Sequence, residues 1–322
     1  MYTVKEVTLQ DADKLEFVYN DFFHRSFRDY GYEILPLEFS DIKNLIPTDF
    51  LTILALWDKN IIKAFSIYCI VGDTVEINVI HCVGDEDIIA KKEALIKALK
   101  EKVQNSGCKI ISYAMMGIQK DFVVNIAKYG FDFVGQAIVN FKFENEKSMR
   151  IFAKVKDKPV PEGFEIVNWD EKYYNDIAKL IFESFKNMQD QKFDLRFKTL
   201  EGCEDIVHKI TGGIYGVFLP DKTKILLENG VPKGFCFANL TTDNIANVPL
   251  VGISPELKYK GMGQLLLTKV LYDVLQAALK KELPLIELNA TVDTDNLPAI
   301  NMYRKLGFKE SAAYPQAFCV LN

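Results

Sequence analysis

The sequence predicts an α/β (α+β) protein built as two tandem domains of one plan, each a mixed, mostly antiparallel sheet flanked by helices. Two internal correspondences and the chain length carry this expectation. An alternating stretch at residues 3–9, Asp11, and a helix with Leu15, Val18, Phe22 and Phe23 on one face return as residues 164–167, Asp170, and Ile177, Leu180, Ile181 and Phe185. Both helical patterns carry a Ser-Phe pair, Ser26-Phe27 and Ser184-Phe185, and Tyr129-Gly130-Phe131 is mirrored by Leu306-Gly307-Phe308. A chain of 322 residues is long for one domain and comfortable for two of about 150 each.

In the second copy, helical spacing predicts helices at residues 171–188 and 200–210. Strands follow at 214–218, 223–228, 233–239 and 248–254, with Glu228-Asn229-Gly230 as a hairpin signal between the second and third. A helix then presents Leu266, Leu267, Val270, Leu271, Val274, Leu275 and Ala278 as an i, i+3, i+4 stripe, which reads as core packing. A strand at 285–292, a short helix at 297–306 and a last strand at 317–321 complete it. Between the copies the charged run ENEKSMRIFAKVKDKPVPE carries two prolines near its end and reads as a linker, with a short strand as an option at 150–155. The expected limits are a first domain at 1–147, a linker at 148–161 and a second domain at 162–322.

Composition excludes several classes. Hydrophobic residues make up 49% of the chain and charged residues 26%, enough for two cores and against disorder. The net charge of −5 comes from 39 basic and 44 acidic residues without a basic cluster, which argues against a nucleic-acid partner or an anionic membrane. Six cysteines without a CxxC read as small buried thiols in a reducing compartment, and three scattered histidines suggest no metal. No apolar run of about 18 residues is present, so a cytoplasmic protein is expected.

The chemistry concentrates between residues 247 and 308. An apolar strand leads into Lys258-x-x-Gly261-x-Gly263, and an amphipathic helix begins at once. Glycines let the backbone approach a ligand closely, and a helix N-terminus offers free N–H donors and partial positive charge, so the pair describes a phosphate or pyrophosphate site. Downstream, Asn296-x-x-Ala299-x-x-x-Tyr303 stands just before Leu306-Gly307-Phe308.

Together these segments resemble the GNAT superfamily of acetyltransferases, whose acyl-CoA loop reads Gln/Arg-x-x-Gly-x-Gly/Ala; Lys258 replaces the usual first residue. The resemblance implies acetyl-CoA as cosubstrate, with its pyrophosphate on the backbone of Lys258, Tyr259, Lys260, Gly261, Met262, Gly263 and Gln264. It further implies that the pantetheine pairs like an added strand with Val251, Gly252 and Ile253, whose N–H groups polarise the thioester carbonyl. Gly252 suits a bulge or close ligand approach there. Tyr303 matches the family tyrosine that protonates the departing thiolate; a phenol with pKa near 10 is well placed for that task. Asn296 is expected to cap the helix beginning at Leu297 and to hydrogen-bond the pantetheine.

The activity implied is direct N-acyl transfer to a small-molecule amine, by a monomer or homodimer. The alternative is a non-catalytic acyl-CoA-binding or regulatory protein that keeps the loop. A Rossmann fingerprint fails because Leu266 occupies the third glycine position, and a P-loop fails for want of GK[ST]. No general base is assigned: residues 246–254 hold no carboxylate, which leaves Glu228, Asp243, Glu287 or a water chain. The expected acceptor region, residues 183–207, mixes Asp190, Asp194, Glu201, Glu204 and Asp205 with Lys186, Lys192, Arg196 and Lys198, and names no substrate.

The first copy is expected to have lost this chemistry. Gly130 and Gly307 lie 177 residues apart, as do Gly84 and Gly261. At that offset Glu86, between Asp85 and Asp87, stands in for Gly263, Gln119 for Asn296 and Ile126 for Tyr303. Three carboxylates at a helix start suit its dipole and repel a pyrophosphate.

Overall fold

A computed structural model describes residues 2–31, 35–117, 119–143, 150, 151, 153 and 158–321, without the side chains of 120 and 121. The chain runs β1 (Tyr2–Glu6), α1 (Ala12–Tyr30), α2 (Phe39–Leu45), β2 (Thr52–Asp58), β3 (Ile61–Val71), β4 (Thr74–Cys82), α3 (Ile88–Val103), β5 (Ile110–Ala114), α4 (Lys120–Ile126) and β6 (Asp132–Lys142). It continues through β7 (Phe164–Asn168), α5 (Tyr174–Ser184), α6 (Asp190–Phe193), α7 (Leu200–Thr211), β8 (Val217–Phe218), β9 (Lys224–Glu228), β10 (Val231–Cys236), β11 (Asn239–Thr242), β12 (Ile245–Asn247) and β13 (Val251–Ile253). Last come α8 (Met262–Leu279), β14 (Glu287–Asp293), α9 (Leu297–Lys305) and β15 (Lys309–Val320).

Two compact units result, one of residues 1–134 with 314–322 and one of residues 135–313. In the first, the strand order is β1-β2-β3-β4-β5-β15, antiparallel except for the parallel β4·β5 pair. Successive residues of β2 point to opposite faces. Ile53, Ala55 and Trp57 meet Leu15, Val18 and Phe22 of α1, while Leu54 and Leu56 share a second core with Leu95 and Leu99 of α3. The β3–β4 hairpin turns on Gly72, whose φ of 61° is what the first central position of a two-residue II′ turn requires. Asp87 does stand at the N-cap of α3, but in a left-handed conformation, and its side chain makes no capping bond.

In the second unit one sheet runs β13-β10-β9-β7 and another set of strands runs β6-β14-β12-β11-β8. The hairpin expected at Asn229-Gly230 is present, with φ of 51° and 81° at its two central residues, the I′ signature. The apolar stripe of α8 is buried as expected, with Leu266, Leu267, Val270, Leu271 and Val274 fully enclosed. Of the strand expected at 248–254 only β13 (Val251–Ile253) forms, and β12 (Ile245–Asn247) lies before the expected range. β12 pairs in parallel with β14, β13 pairs antiparallel with β10, and residues 248–250 pass between them. Pro249, with no N–H to donate, sits at the break. A short β11–β12 hairpin, not anticipated from sequence, precedes it.

The units also differ from the expected domain limits of 1–147 and 162–322. Residues 135–142 pair with β14 of the second unit, Gln136 opposite Asp293 and Lys142 opposite Glu287. Residues 316–320 pair with β5 of the first. Each expected domain thus gives its closing strand to the other unit. In the expected linker, residues 150, 151 and 153 are helical rather than extended, and 148, 149, 152 and 154–157 lie outside the described residues.

Candidate active site

The break between β12 and β13 makes the site. Below it, Val248 still donates its N–H to Asn289 of β14. Above it, β13 follows β10 and leaves β14, so a cleft of about 1160 Å³ opens between them, lined among others by Val251, Ile253, Gly263, Asp293, Asn296 and Tyr303. All of it lies in the second unit.

Strand register decides which backbone groups face the cleft. Leu250 accepts from Phe237 and Ser254 donates to Lys233, so the hydrogen-bonded pairs along β13·β10 alternate through Gly252 opposite Phe235. Val251 and Ile253 therefore turn their N–H and C=O groups away from β10, into the cleft. The Ile253 carbonyl is already held by the Ser184 hydroxyl at 2.9 Å, which leaves the two N–H groups and the Val251 carbonyl for a ligand strand. Gly252 is a correction: its polar backbone groups are committed to β10. Its lack of a side chain serves packing, since an added Cβ would lie 2.6 Å from the Phe235 ring.

The glycine loop closes one end of the cleft. Lys258 and Lys260 donate their N–H groups to Pro255 and Leu257 within the loop, so these two, expected to face a pyrophosphate, are used internally. The Lys258 ammonium reaches the Ser184 carbonyl at 3.3 Å and ties the loop to the end of α5. Tyr259 is almost fully exposed. Gly261 is the N-cap of α8 in the left-handed region, φ 81°, where a side chain is strained. From Gly261 through Gln264 the N–H groups lie at the helix start, beyond the reach of intrahelical acceptors, where a helix offers donors to an anion. At Gly263 an added Cβ would meet nothing closer than the Met302 sulfur at 3.6 Å, so the protein itself does not demand glycine there. Met262 is buried and contributes backbone only.

Across the cleft, Asn296 caps α9 by accepting from the Ala299 N–H at 3.2 Å. Tyr303, about two turns beyond that cap, is 3% exposed and packs edge-to-face on Phe308, and burial pushes its phenol well above the usual range. The hydroxyl is therefore held protonated, the form an acid requires. The residues present fit an acyl-CoA: unbonded N–H groups at a helix start, an open strand edge, and no carboxylate from Lys258 to Gln264.

The three base candidates are placed elsewhere. Glu228 is at the β9–β10 turn, Asp243 is exposed at the β11–β12 turn, and Glu287 is buried at the far end of β14, none lining the cleft. The cleft instead holds Asp190 and Asp293. Asp190, half-buried on α6, is pushed up to about 7 by burial and then by the Asp293 charge. Asp293, at the end of β14, is also raised by burial and accepts a hydrogen bond from the Gln136 amide. Sequence reasoning placed Asp190 only within a mixed charged stretch. Its distinction from Asp194 is tertiary, because Asp194 is matched by a two-pronged contact with Arg196 at 2.7 and 2.9 Å.

Residues 197–308, all within the second unit, match the model of the acetyltransferase (GNAT) family. A GCN5-related N-acetyltransferase from Sphaerobacter thermophilus is similar in structure, with TM-score 0.65 and 11% identity over 100% of this chain and 96% of that one. A tandem GNAT protein from the clavulanic acid biosynthesis pathway superposes with TM-score 0.60 and 10% identity, covering 100% and 99%. A GNAT-family acetyltransferase from Colwellia psychrerythraea gives 0.51 and 9%, covering 99% and 100%. At these identities the likeness is one of fold, and the fold is the tandem GNAT arrangement. No curated protein matches the sequence. None of the described helices is long and apolar enough to cross a membrane.

Proposed function

We propose that this protein is an acetyl-CoA-dependent N-acyltransferase whose second unit transfers the acyl group directly to a small amine. The observation that carries the reading is the coincidence, in one cleft, of the bare N–H groups at the start of α8, the open edge of β13 and the protonated Tyr303. When bound, acetyl-CoA would supply an activated acyl group to the amine, leaving a thiol. The α8 start would hold the pyrophosphate, Val251 and Ile253 would hold the pantetheine as an added strand and polarise the carbonyl, and Asn296 would steady it. Tyr303 would give its proton to the departing sulfur. The first unit would take no acyl-CoA.

The test is a calorimetric titration of the full chain with acetyl-CoA. One site per chain supports the reading, two sites would assign a ligand to the first unit as well, and no binding would remove it. A non-catalytic acyl-CoA binder has no specific observation in its favour, since Tyr303 and Asn296 are both placed on the cleft.

A further inference from the structure

The cleft extends well past the acyl-CoA edge, and its far wall has a distinct chemistry. Phe185 and Phe197 stack with ring centroids 4.6 Å apart. Together with Met188, Phe193, Ile206 and Ile210 they make that wall apolar. Of the ionisable groups on it, Arg196 and Asp194 satisfy each other, and the Arg196 guanidinium also donates to the Tyr215 hydroxyl at 2.9 Å. Asp293 is held by Gln136. Asp190 has no cation and no side-chain hydrogen-bond donor among the described residues, yet it faces the same space as Tyr303. A carboxylate on an apolar wall that is held only by a backbone N–H is costly unless a ligand supplies the missing positive charge.

We propose that Asp190 receives the acceptor's ammonium group and removes its proton, and that the acceptor is a primary amine carried on an apolar or aromatic body and bearing no carboxylate. This rests on the N-acyltransferase reading above. The proton balance closes. Asp190 takes one proton from the ammonium, which frees the nitrogen lone pair. The C–N bond then forms and the C–S bond breaks. Tyr303 gives its proton to the sulfur and recovers one from the nitrogen, and Asp190 returns the first to solvent. Asp293 and Asp194 are the charged groups acting on Asp190, and both favour its uncharged form until a cation arrives. An acceptor with its own carboxylate would add a third negative charge beside Asp190 and Asp293 and is disfavoured.

The experiment pairs acetyl-CoA calorimetry with thiol release on wild type, Asp190→Asn and Asp190→Glu, with 2-phenylethylamine, ethanolamine and phenylalanine as probes. Expected for wild type is a kcat/KM for 2-phenylethylamine at least tenfold above either control. Asp190→Asn should bind acetyl-CoA as wild type does and lose about 10²-fold or more in kcat/KM at pH 7. The loss should shrink as pH rises toward the amine's own pKa, where the acceptor arrives deprotonated, and Asp190→Glu should recover part of the rate. An undiminished Asp190→Asn rate, a pH-independent loss, or equal turnover of the three probes overturns the proposal. Acetyl-CoA binding by wild type without transfer to any probe also overturns it, while leaving the cofactor reading in place. Failure of wild type to bind acetyl-CoA removes the reading beneath it.

Discussion

The two units use one strand–loop–helix device, and they differ at each place where a ligand would touch it. In the first unit β4 is a single strand paired with β3 through Cys82, and it meets β5 only over Thr74–Ile77. The corner beyond Ile77 is filled from within. Tyr30 donates its hydroxyl toward the Ile80 carbonyl or His81, the Tyr113 hydroxyl donates to Gln119, and Lys92 reaches Gln119 and lies over the Phe122 ring. In the second unit the Ser184 hydroxyl donates to the Ile253 carbonyl at 2.9 Å, and a serine leaves the space beside β13 open. Gln119 and Asn296, paired by the sequence offset, prove to be the N-caps of α4 and α9. The correspondence is structural, and the chemistry has diverged on it. The corner of the first unit is thus filled by larger side chains, and the start of its α3 carries carboxylates.

The sharpest way to break this comparison is to give the second unit the first unit's charge. Gly263→Asp should fold, because a Cβ there meets only ordinary contacts, and should weaken acetyl-CoA binding by at least about 10²-fold through like-charge repulsion at the helix start. Calorimetry reads both outcomes, and unchanged affinity would displace the site. Tyr303→Phe removes the hydroxyl that Ile126 already lacks in the first unit. Its kcat should fall by roughly 10²- to 10⁴-fold at unchanged acetyl-CoA affinity, measured by thiol release.

Two glycines on the cleft separate packing from ligand approach. Gly252→Ala drives a Cβ into Phe235 and should cost about 1–3 kcal/mol in denaturant unfolding. Gly263→Ala should be neutral or stabilising by up to about 1 kcal/mol, because alanine is the better helix former and meets only ordinary contacts. Equal effects would mean that Gly252 is not held by the ring.

A pH-dependent effect lies in the filled corner. Burial lowers His81 to about 4, against hydrogen bonds at 2.8 Å each to Asp21 and Tyr30. The neutral ring donates from Nε2 to Asp21 and accepts from Tyr30. The unfolded chain binds this proton near pH 6.5 and the folded chain only near 4. The contribution is therefore present above pH 6.5 and lost as pH falls through 4. Thermal melts across that window should show the loss, and His81→Gln should flatten it. Asp21, Arg25 and Lys92 are the charged neighbours to be held constant.

How much of this was legible in the sequence differs element by element. The Asn229-Gly230 turn, the α8 stripe and the Asn296 cap are local, set by a few neighbouring residues, and each occurs as expected. The break at Pro249 was missed because an apolar run with one proline still reads as a strand, and only pairing shows that its halves serve different sheets. The base candidates were misplaced for a related reason. Glu228, Asp243, Glu287 and Asp190 are alike as letters, and a carboxylate's role is set by what surrounds it.

The sequence alone determined the repeat, the glycine loop at the start of α8, and the Asn296 and Tyr303 spacing on one short helix, all consequences of local backbone preference and helical periodicity. Only the tertiary structure decided that β6 and β15 close the opposite units and that Val251 and Ile253, rather than Gly252, face the cleft. It also decided that Asp190 stands beside Asp293 with no cation at its carboxylate among the described residues. Strand pairing and charge burial join residues more than a hundred positions apart, and no local pattern carries that information.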